Sequence, residues 1–418
     1  MKPRIVVAGA GIGGLTTALA LLRRGIDVDV YEATPELREL GAGLQLGANG
    51  TRVLTHLGLR AEMEQIVCPA AGKEVRLWNS GQRWKLFDLG EDSVRRFNAP
   101  YWFVHRGDLH RTLLEAVLRA KPDAVHTNKF VTGYRNTRDG ITLEFADGTR
   151  AKAAAAIGAD GIHSRMRHQM VGAGKPRFVG IISWRGLVPI ERLNEDLRRP
   201  VGTNWVGPGG HVITYPVRRG ELLNFVGFAE RSDWTVESWT ERGTVEECAA
   251  DFVGWHPYVH EIIRNVDAPF KWALLARDPL ETMADGRACL IGDACHPMLP
   301  FLAQGANQAI EDAVIMARCI EAFSDDIPQA LRRFEALRGP RTSTIVRGSA
   351  ENAKRFHNAT LADPQAGAAY VDREWEPERV RKRYDWLFEY DAVTAPLDID
   401  ETTAKAMRAR AGDHAVGA

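Results

Sequence analysis

The chain has 418 residues, 45% hydrophobic and 26% charged, with Lys+Arg and Asp+Glu both at 54 and a net charge of zero. That is the composition of a globular protein with two or three domains. Nothing in the balanced charge suggests a nucleic-acid partner, and no apolar run approaches the length of a membrane span. The five cysteines (Cys68, Cys248, Cys289, Cys295 and Cys319) show neither metal nor disulfide spacing. The first strand starts too soon after Met1 to leave room for a signal peptide, so a reducing, cytoplasmic location is expected.

Residues 4–8 read as a buried strand, 13–24 as a helix and 27–31 as a second strand. Between the first two lie Gly9, Gly11, Gly13 and Gly14, and Glu32 closes the second strand. Gly9 permits a tight turn, Gly11 lets backbone approach a pyrophosphate, and Gly14 lets helix press on strand. The helix N-terminus offers free N–H groups to phosphate, and Glu32 can accept hydrogen bonds from a ribose diol. This is the order of a dinucleotide-binding βαβ unit. A second flexible segment, Gly41–Gly47, precedes a helical pattern over 51–57. Residues 73–78 and 84–89 alternate as a hairpin about Asn79-Ser80-Gly81, and 108–120 form an amphipathic helix. A further hairpin turns at Asp147-Gly148 and leads into a buried strand ending at Ile157.

From Phe178 to Trp272 short β-type runs appear at 181–188, 211–215 and 222–228. Trp184, Trp205, Trp234, Trp239, Trp255 and Trp272 fall here, which predicts an antiparallel sheet whose tryptophans mainly pack a core and could also wall an apolar pocket. Residues 287–290 return to a buried strand, 306–322 to a helix, and the chain from Pro328 is helical and charged, with a tail after Thr402 that lacks apolar periodicity.

Two more segments carry chemistry. In Ile157-Gly158-Ala159-Asp160-Gly161-Ile162-His163-Ser164 a strand ends in an acid and a glycine, with Ser164 placed to start a helix. In Leu290-Ile291-Gly292-Asp293-Ala294-Cys295-His296-Pro297 a strand ends in Gly-Asp, and a loop through Pro300 reaches Gly305, Ala306 and Asn307. Asp293 can bond a polyol, and the N–H groups at that helix start can stabilise an anion. Asp160 and Asp293 could equally be capping acids, and Arg106 a surface ion pair. Cys295 and His296 are expected to shape the loop rather than bind metal.

Together these motifs resemble the class A flavoprotein aromatic hydroxylases, the p-hydroxybenzoate hydroxylase fold, over nearly the whole chain. The resemblance implies an α/β fold: a Rossmann-like FAD-binding domain (1–70, 99–175 and 277–355), an interleaved antiparallel-sheet substrate domain (71–98 and 176–276), and a C-terminal helical region with a mobile tail (356–418). It implies that Gly9, Gly11, Gly13, Gly14 and Glu32 hold the ADP half of FAD. The Asp160-Gly161 segment would serve FAD and NAD(P)H, Asp293 the ribityl chain, and Pro300–Asn307 the isoalloxazine. Arg106, within the His-Arg-x-Asp-Leu element of 105–109, would lie near the ribityl or phosphate portion.

The finer resemblance is to salicylate hydroxylase, 3-hydroxybenzoate 6-hydroxylase and 6-hydroxynicotinate 3-monooxygenase. It rests on Gly41–Gln45, Gly207–Pro216, Gly292–Pro297 and Tyr384–Asp391. It places Gln45, His211, Tyr215 and Pro300 in the substrate pocket. His211 and Tyr215, four apart, share one face of a strand, although unaided the pair reads as a buried His and a core Tyr. Pro300 tilts the substrate towards salicylate, because the 3-hydroxybenzoate enzymes carry glutamine there. The implied reaction is hydroxylation by NAD(P)H and O2 through a flavin C4a-hydroperoxide, with His211 as base and Tyr215 orienting the ring. Attack at a carboxylated carbon would release CO2. Arg185 is a candidate carboxylate anchor and could equally be structural. No metal, nucleic acid or membrane partner is expected, and a homodimer is compatible with the reading. The competing readings are an NAD-dependent dehydrogenase using the first βαβ unit alone, a hydroxylase of a larger phenolic substrate, and a non-catalytic flavin-binding module.

Overall fold

The computed structural model describes residues 2–37, 42–172, 174–231 and 242–398. Gly41, Trp234, Trp239 and the tail after Thr402 lie outside them. The first unit forms as the glycine pattern requires. Strand β1 (Ile5–Ala8) is buried at every position, helix α1 follows (Ile12–Leu22), and strand β2 (Val28–Tyr31) pairs parallel with β1. On its other side β1 pairs parallel with Ala155–Gly158, which pairs in turn with Ala288–Leu290. A strand with neighbours on both edges and layers on both faces is a continuous apolar run, as Ile5-Val6-Val7-Ala8 is. The sheet is completed by Val125–His126 beside β2 and by an antiparallel edge at Ala284–Asp285. Gly9 has φ of +101°, and a Cβ on Gly14 would stand 1.9 Å from the Gly9 carbonyl oxygen. Only glycine at both positions lets α1 start this close to β1.

The second sheet has seven strands. Its order is Phe270–Ala276, Arg177–Pro189, Leu222–Glu230, Gly210–Val217, Val201–Gly207, Gly72–Leu77 and Arg83–Asp88. All neighbours are antiparallel except Val201–Gly207 with Gly72–Leu77. The hairpin read at 73–89 therefore joins the edge of the tryptophan-rich sheet. Period-two alternation divides its residues between two surfaces. Trp184, Trp205, Val212 and Phe225 face a core with Phe252 and Trp255, while Tyr215, Val226, Phe228 and Trp272 belong to the opposite cluster. Strand Gly43–Leu46 is labelled β3, Gly210–Val217 β4 and Leu222–Glu230 β5. Among the described residues no helix is long and apolar enough to cross a membrane.

Two long helices close the structure, α2 (Gly305–Ala322) and α3 (Ile327–Phe356). Besides apolar packing, a buried ionic cluster joins them. Arg338 of α3 is fully buried and donates from Nη1 to Glu311 Oε2 at 2.6 Å and from Nε to Asp312 Oδ1 at 2.7 Å. Arg341 adds two bonds to Glu311, and Asn49 a third. Burial alone would raise both carboxyls, but Arg341 and Arg338 hold Glu311 below its ordinary range, and His296 and Arg338 hold Asp312 below its own.

Arg338→Met removes the cation that the two buried carboxylates share, leaving Glu311 with Arg341 and Asp312 with His296. The expected loss is about 3–5 kcal/mol, read by urea unfolding of the two proteins. A depressed carboxyl stabilises the fold above its unfolded pKa and loses that contribution as pH falls through the folded one, so acid should narrow the gap between wild type and variant below about pH 4. A variant as stable as wild type at pH 7 would show that the network is dispensable.

Candidate active site

A cleft of about 350 Å³ lies between the parallel sheet and the cleft-facing surface of the seven-stranded sheet. One end is built from backbone turns. Gly11, Gly13, Ala159 and Gly161 line it beside Arg106 and Asp293, and Gly305 and Ala306 bring the first turn of α2 to its edge. The other end is built from side chains: Gln45, Arg185, Tyr215, Phe228, Trp272 and Pro300.

The first end suits a dinucleotide. A Cβ built on Gly11 or on Gly161 meets nothing within 4 Å, so open space lies against bare backbone at the start of α1. That start carries unpaired N–H groups and a partial positive charge. Asp293 is exposed within the cleft. Gly9 and Gly14 do not line the cleft; they pack the turn behind it, where a Cβ on Gly9 would stand 2.4 Å from the Ala159 carbonyl oxygen. Gly13 approaches Ala309 of α2. Glu32 Oε2 accepts from Ala10 N at 2.8 Å and Oε1 from Thr34 N at 2.9 Å, so its carboxylate sits on the turn itself.

One acid and one amide of these motifs spend their side chains on the fold itself. Asp160 Oδ2 accepts from Arg165 N at 2.8 Å and caps the helix Arg165–Val171, which Ser164 also caps through Arg167 N. Its Oδ1 is buried without a hydrogen-bond partner, and burial raises its carboxyl. Asn307 is fully buried: its Oδ1 accepts from Gly47 N, and its Nδ2 donates to the carbonyls of Gln45 and Ala303. Its side chain braces β3 against α2 and does not face the cleft. Asp312 Oδ2 accepts from Gly292 N at 3.0 Å and lies 2.6 Å from His296 Nε2, which holds the loop bearing Asp293. Cys295 is buried, and Arg167 donates to its carbonyl. The loop-shaping expectation for Cys295 and His296 describes these contacts.

At the side-chain end, Tyr215 packs on Phe103 with ring centroids 5.1 Å apart, and burial raises its hydroxyl pKa. Gln45 Oε1 accepts from the Tyr101 hydroxyl at 2.9 Å, which fixes the amide. Pro300 opens the turn Pro300–Leu302 and lines the cleft. His211 differs from expectation. It shares the strand face of Tyr215, as the spacing of four predicts, but it is fully buried and absent from the cleft wall. Phe228, stacked on its ring at 4.4 Å, takes that place. Burial and the neighbouring His357 push its pKa well below the ordinary value.

Arg185 is the feature that the sequence left most open. Its guanidinium lies 3.9 Å over the Trp272 ring, and its Nε is buried without a hydrogen-bond partner. Among the described residues it forms no ion pair with a carboxylate. Burial pulls it down to about 9, so it stays charged at neutral pH. A buried cation in an aromatic wall without a protein anion can be neutralised by a ligand anion.

A family model described as an FAD binding domain matches residues 2–349. The 3-amino-4-hydroxybenzoate 2-monooxygenase of Streptomyces platensis is 41% identical over 94% of this chain and 97% of its own length. The 6-hydroxynicotinate 3-monooxygenase of Bordetella bronchiseptica is 35% identical over 95% and 97%. The crystal structure of Klebsiella pneumoniae HpxO complexed with FAD and uric acid aligns with a TM-score of 0.80 at 29% identity, over 94% of this chain and 98% of that one.

Removing the close approach at the first turn should separate flavin retention from folding. Gly11→Val starts a side chain in open space, its Cβ meeting no protein atom within 4 Å, and the expected result is a stable protein with little bound flavin, read by absorbance near 450 nm beside a thermal melt. Full flavin content in that variant would move the cofactor elsewhere.

Proposed function

On the premise that the chain belongs to the FAD binding domain family and is an FAD-dependent aromatic monooxygenase using NAD(P)H, we propose that its substrate is a small ring carboxylic acid with a ring hydroxyl, held through its carboxylate by Arg185. The observation that carries this reading is the buried Arg185 cation without a protein counter-ion among the described residues, on the same sheet as Tyr215 and in one cleft with it. The named substrates of the two relatives, 3-amino-4-hydroxybenzoate and 6-hydroxynicotinate, both pair a carboxylate with a ring hydroxyl. The aminohydroxybenzoate is the first candidate, and salicylate, favoured by Pro300, is the second.

Bound FAD, reduced by NAD(P)H, supplies an electrophilic oxygen from O2 to an electron-rich ring carbon. Gly11, Gly13 and the N-terminus of α1 would hold the pyrophosphate, Glu32 and Asp293 the two polyols, and Arg106, Gly305 and Ala306 the flavin end. The remaining work belongs to the substrate end. Arg185 fixes the carboxylate and so the ring's orientation. The Tyr215 hydroxyl, kept protonated by burial, donates to the ring hydroxyl oxygen. Val226, Phe228 and Trp272 exclude water from the reacting ring. His211, uncharged at neutral pH, takes the phenolic proton, which makes the ring a better nucleophile. Phe228 lies between His211 and the cleft, so this transfer needs the Phe228 ring to turn aside.

The test is a panel of 3-amino-4-hydroxybenzoate, 6-hydroxynicotinate, 3-hydroxybenzoate and salicylate, each beside its carboxamide, with product measured against NAD(P)H consumed and H2O2 released. The acids should be hydroxylated with coupling and the amides should not. Arg185→Gln should raise KM for the acid by about 10–100-fold, the loss of one charge-assisted contact, with kcat changed far less. Equal KM for acid and amide would remove Arg185 from recognition. His211→Ala should keep its flavin and lose about 100-fold or more in coupled hydroxylation, and wild-type product yield would remove His211 from the reaction.

A further inference from the structure

Three side chains from distant parts of the chain form one line from the interior to the surface. His211 Nδ1 lies 2.6 Å from His357 Nε2, and His357 Nδ1 lies 2.9 Å from Glu230 Oε1. His211 is fully buried, the His357 side chain is 2% exposed, and the Glu230 side chain is 55% exposed. The rings packed around His211 are Phe228, Phe301 and Phe356, with centroids 4.4, 5.1 and 4.9 Å away. Among the described residues, the titratable groups in contact with the pair are each other and Glu230. The backbone locks the line in place: Glu230 N donates to the Gly209 carbonyl, and Gly209 N to that of His357.

The tautomers follow from the outer end. An ionised carboxylate only accepts, so His357 must donate from Nδ1. Its Nε2 then carries a lone pair, which at 2.6 Å must receive the Nδ1–H of His211. His211 Nε2 is left with a lone pair, and that atom is buried without a hydrogen-bond partner. A surface carboxylate thus sets a bare imidazole base at the inner end. His211 pairs in register with Phe228, a residue of the cleft wall, and Ile213, two residues along β4, lines the cleft as well.

We propose that His357 and Glu230 form a proton path that empties and refills His211 from solvent. The inference rests on the proposed role of His211 as the base. The phenolic O–H bond breaks as Nε2–H forms on His211. The His211 Nδ1 proton moves to His357 Nε2, the His357 Nδ1 proton moves to Glu230, and Glu230 releases one proton to water. One proton enters and one leaves, with no change in electron count. When the hydroxylated product regains a proton, the same steps run backwards and both rings return to their first tautomers without turning. His357 and Glu230 act through His211 and are positioning residues.

The experiment mixes the oxidised, FAD-loaded enzyme with 3-amino-4-hydroxybenzoate, or with whichever acid the panel shows to be hydroxylated, in weakly buffered solution with a pH-indicator dye. Wild type should release a proton on binding. Glu230→Gln keeps an acceptor for His357 but cannot carry the proton, and it should slow release by about tenfold or more while leaving the dissociation constant, read from the flavin spectrum, within about threefold. His357→Phe, which keeps a ring in place, should do the same, and Glu230→Asp should restore much of the rate. Release at the wild-type rate in Glu230→Gln overturns the path and leaves the base role standing. Should His357→Phe lose its flavin, the surface variant decides. Binding to wild type with no proton released overturns the base role of His211 and the path with it.

Discussion

The fully buried Arg338 between Glu311 and Asp312 is the contact on which the cleft depends. Two adjacent acids in one helix would repel each other and resist burial, and the guanidinium fork answers both at once. From this centre bonds run outward to the functional loops. Asp312 fixes Gly292 N and His296, hence the loop that presents Asp293. Glu311 fixes Asn49, which also bonds Gln304 at the N-terminus of α2. Three residues beyond Gln304, Asn307 ties β3 and so positions Gln45. Both ends of the cleft are thus tied to one hydrogen-bonded network.

The cleft joins two kinds of surface for a physical reason. A dinucleotide is recognised by backbone N–H groups and acids at the ends of parallel strands, which the glycine turns expose. A small aromatic ring needs an apolar wall with few, well-placed polar groups, which the alternating face of an antiparallel sheet supplies. In the proposed reading Arg185 and Tyr215, both in the cleft wall, are those polar groups.

The local patterns were legible because their causes are local. The strand, turn and helix at 5–22 follow from apolar run, glycine spacing and periodicity within twenty residues, and the hairpins at 72–88 and 141–153 from alternation about a turn. What could not be read joins residues far apart. Nothing in the segment around Glu311-Asp312 says that these acids are buried, since the same pattern on a surface helix is ordinary; burial comes from Arg338, which reads as part of a charged helix. Asp160 and Asn307 carry family positions, yet their side chains are taken by a helix cap and a strand brace. The partner of His211 is 146 residues away, and the strands at 201–207 and 270–276 lack the clear apolar alternation that would mark them.

The central claim is that Arg185 receives a ring carboxylate in a cleft whose other end holds FAD. A crystal structure of the FAD-loaded protein with 3-amino-4-hydroxybenzoate tests it most directly. The account expects flavin along the Gly11, Asp293 and Gly305 end and the carboxylate within hydrogen-bond distance of the Arg185 guanidinium, with the ring hydroxyl towards Tyr215. A carboxylate bound elsewhere, with Arg185 still bare against Trp272, would contradict it.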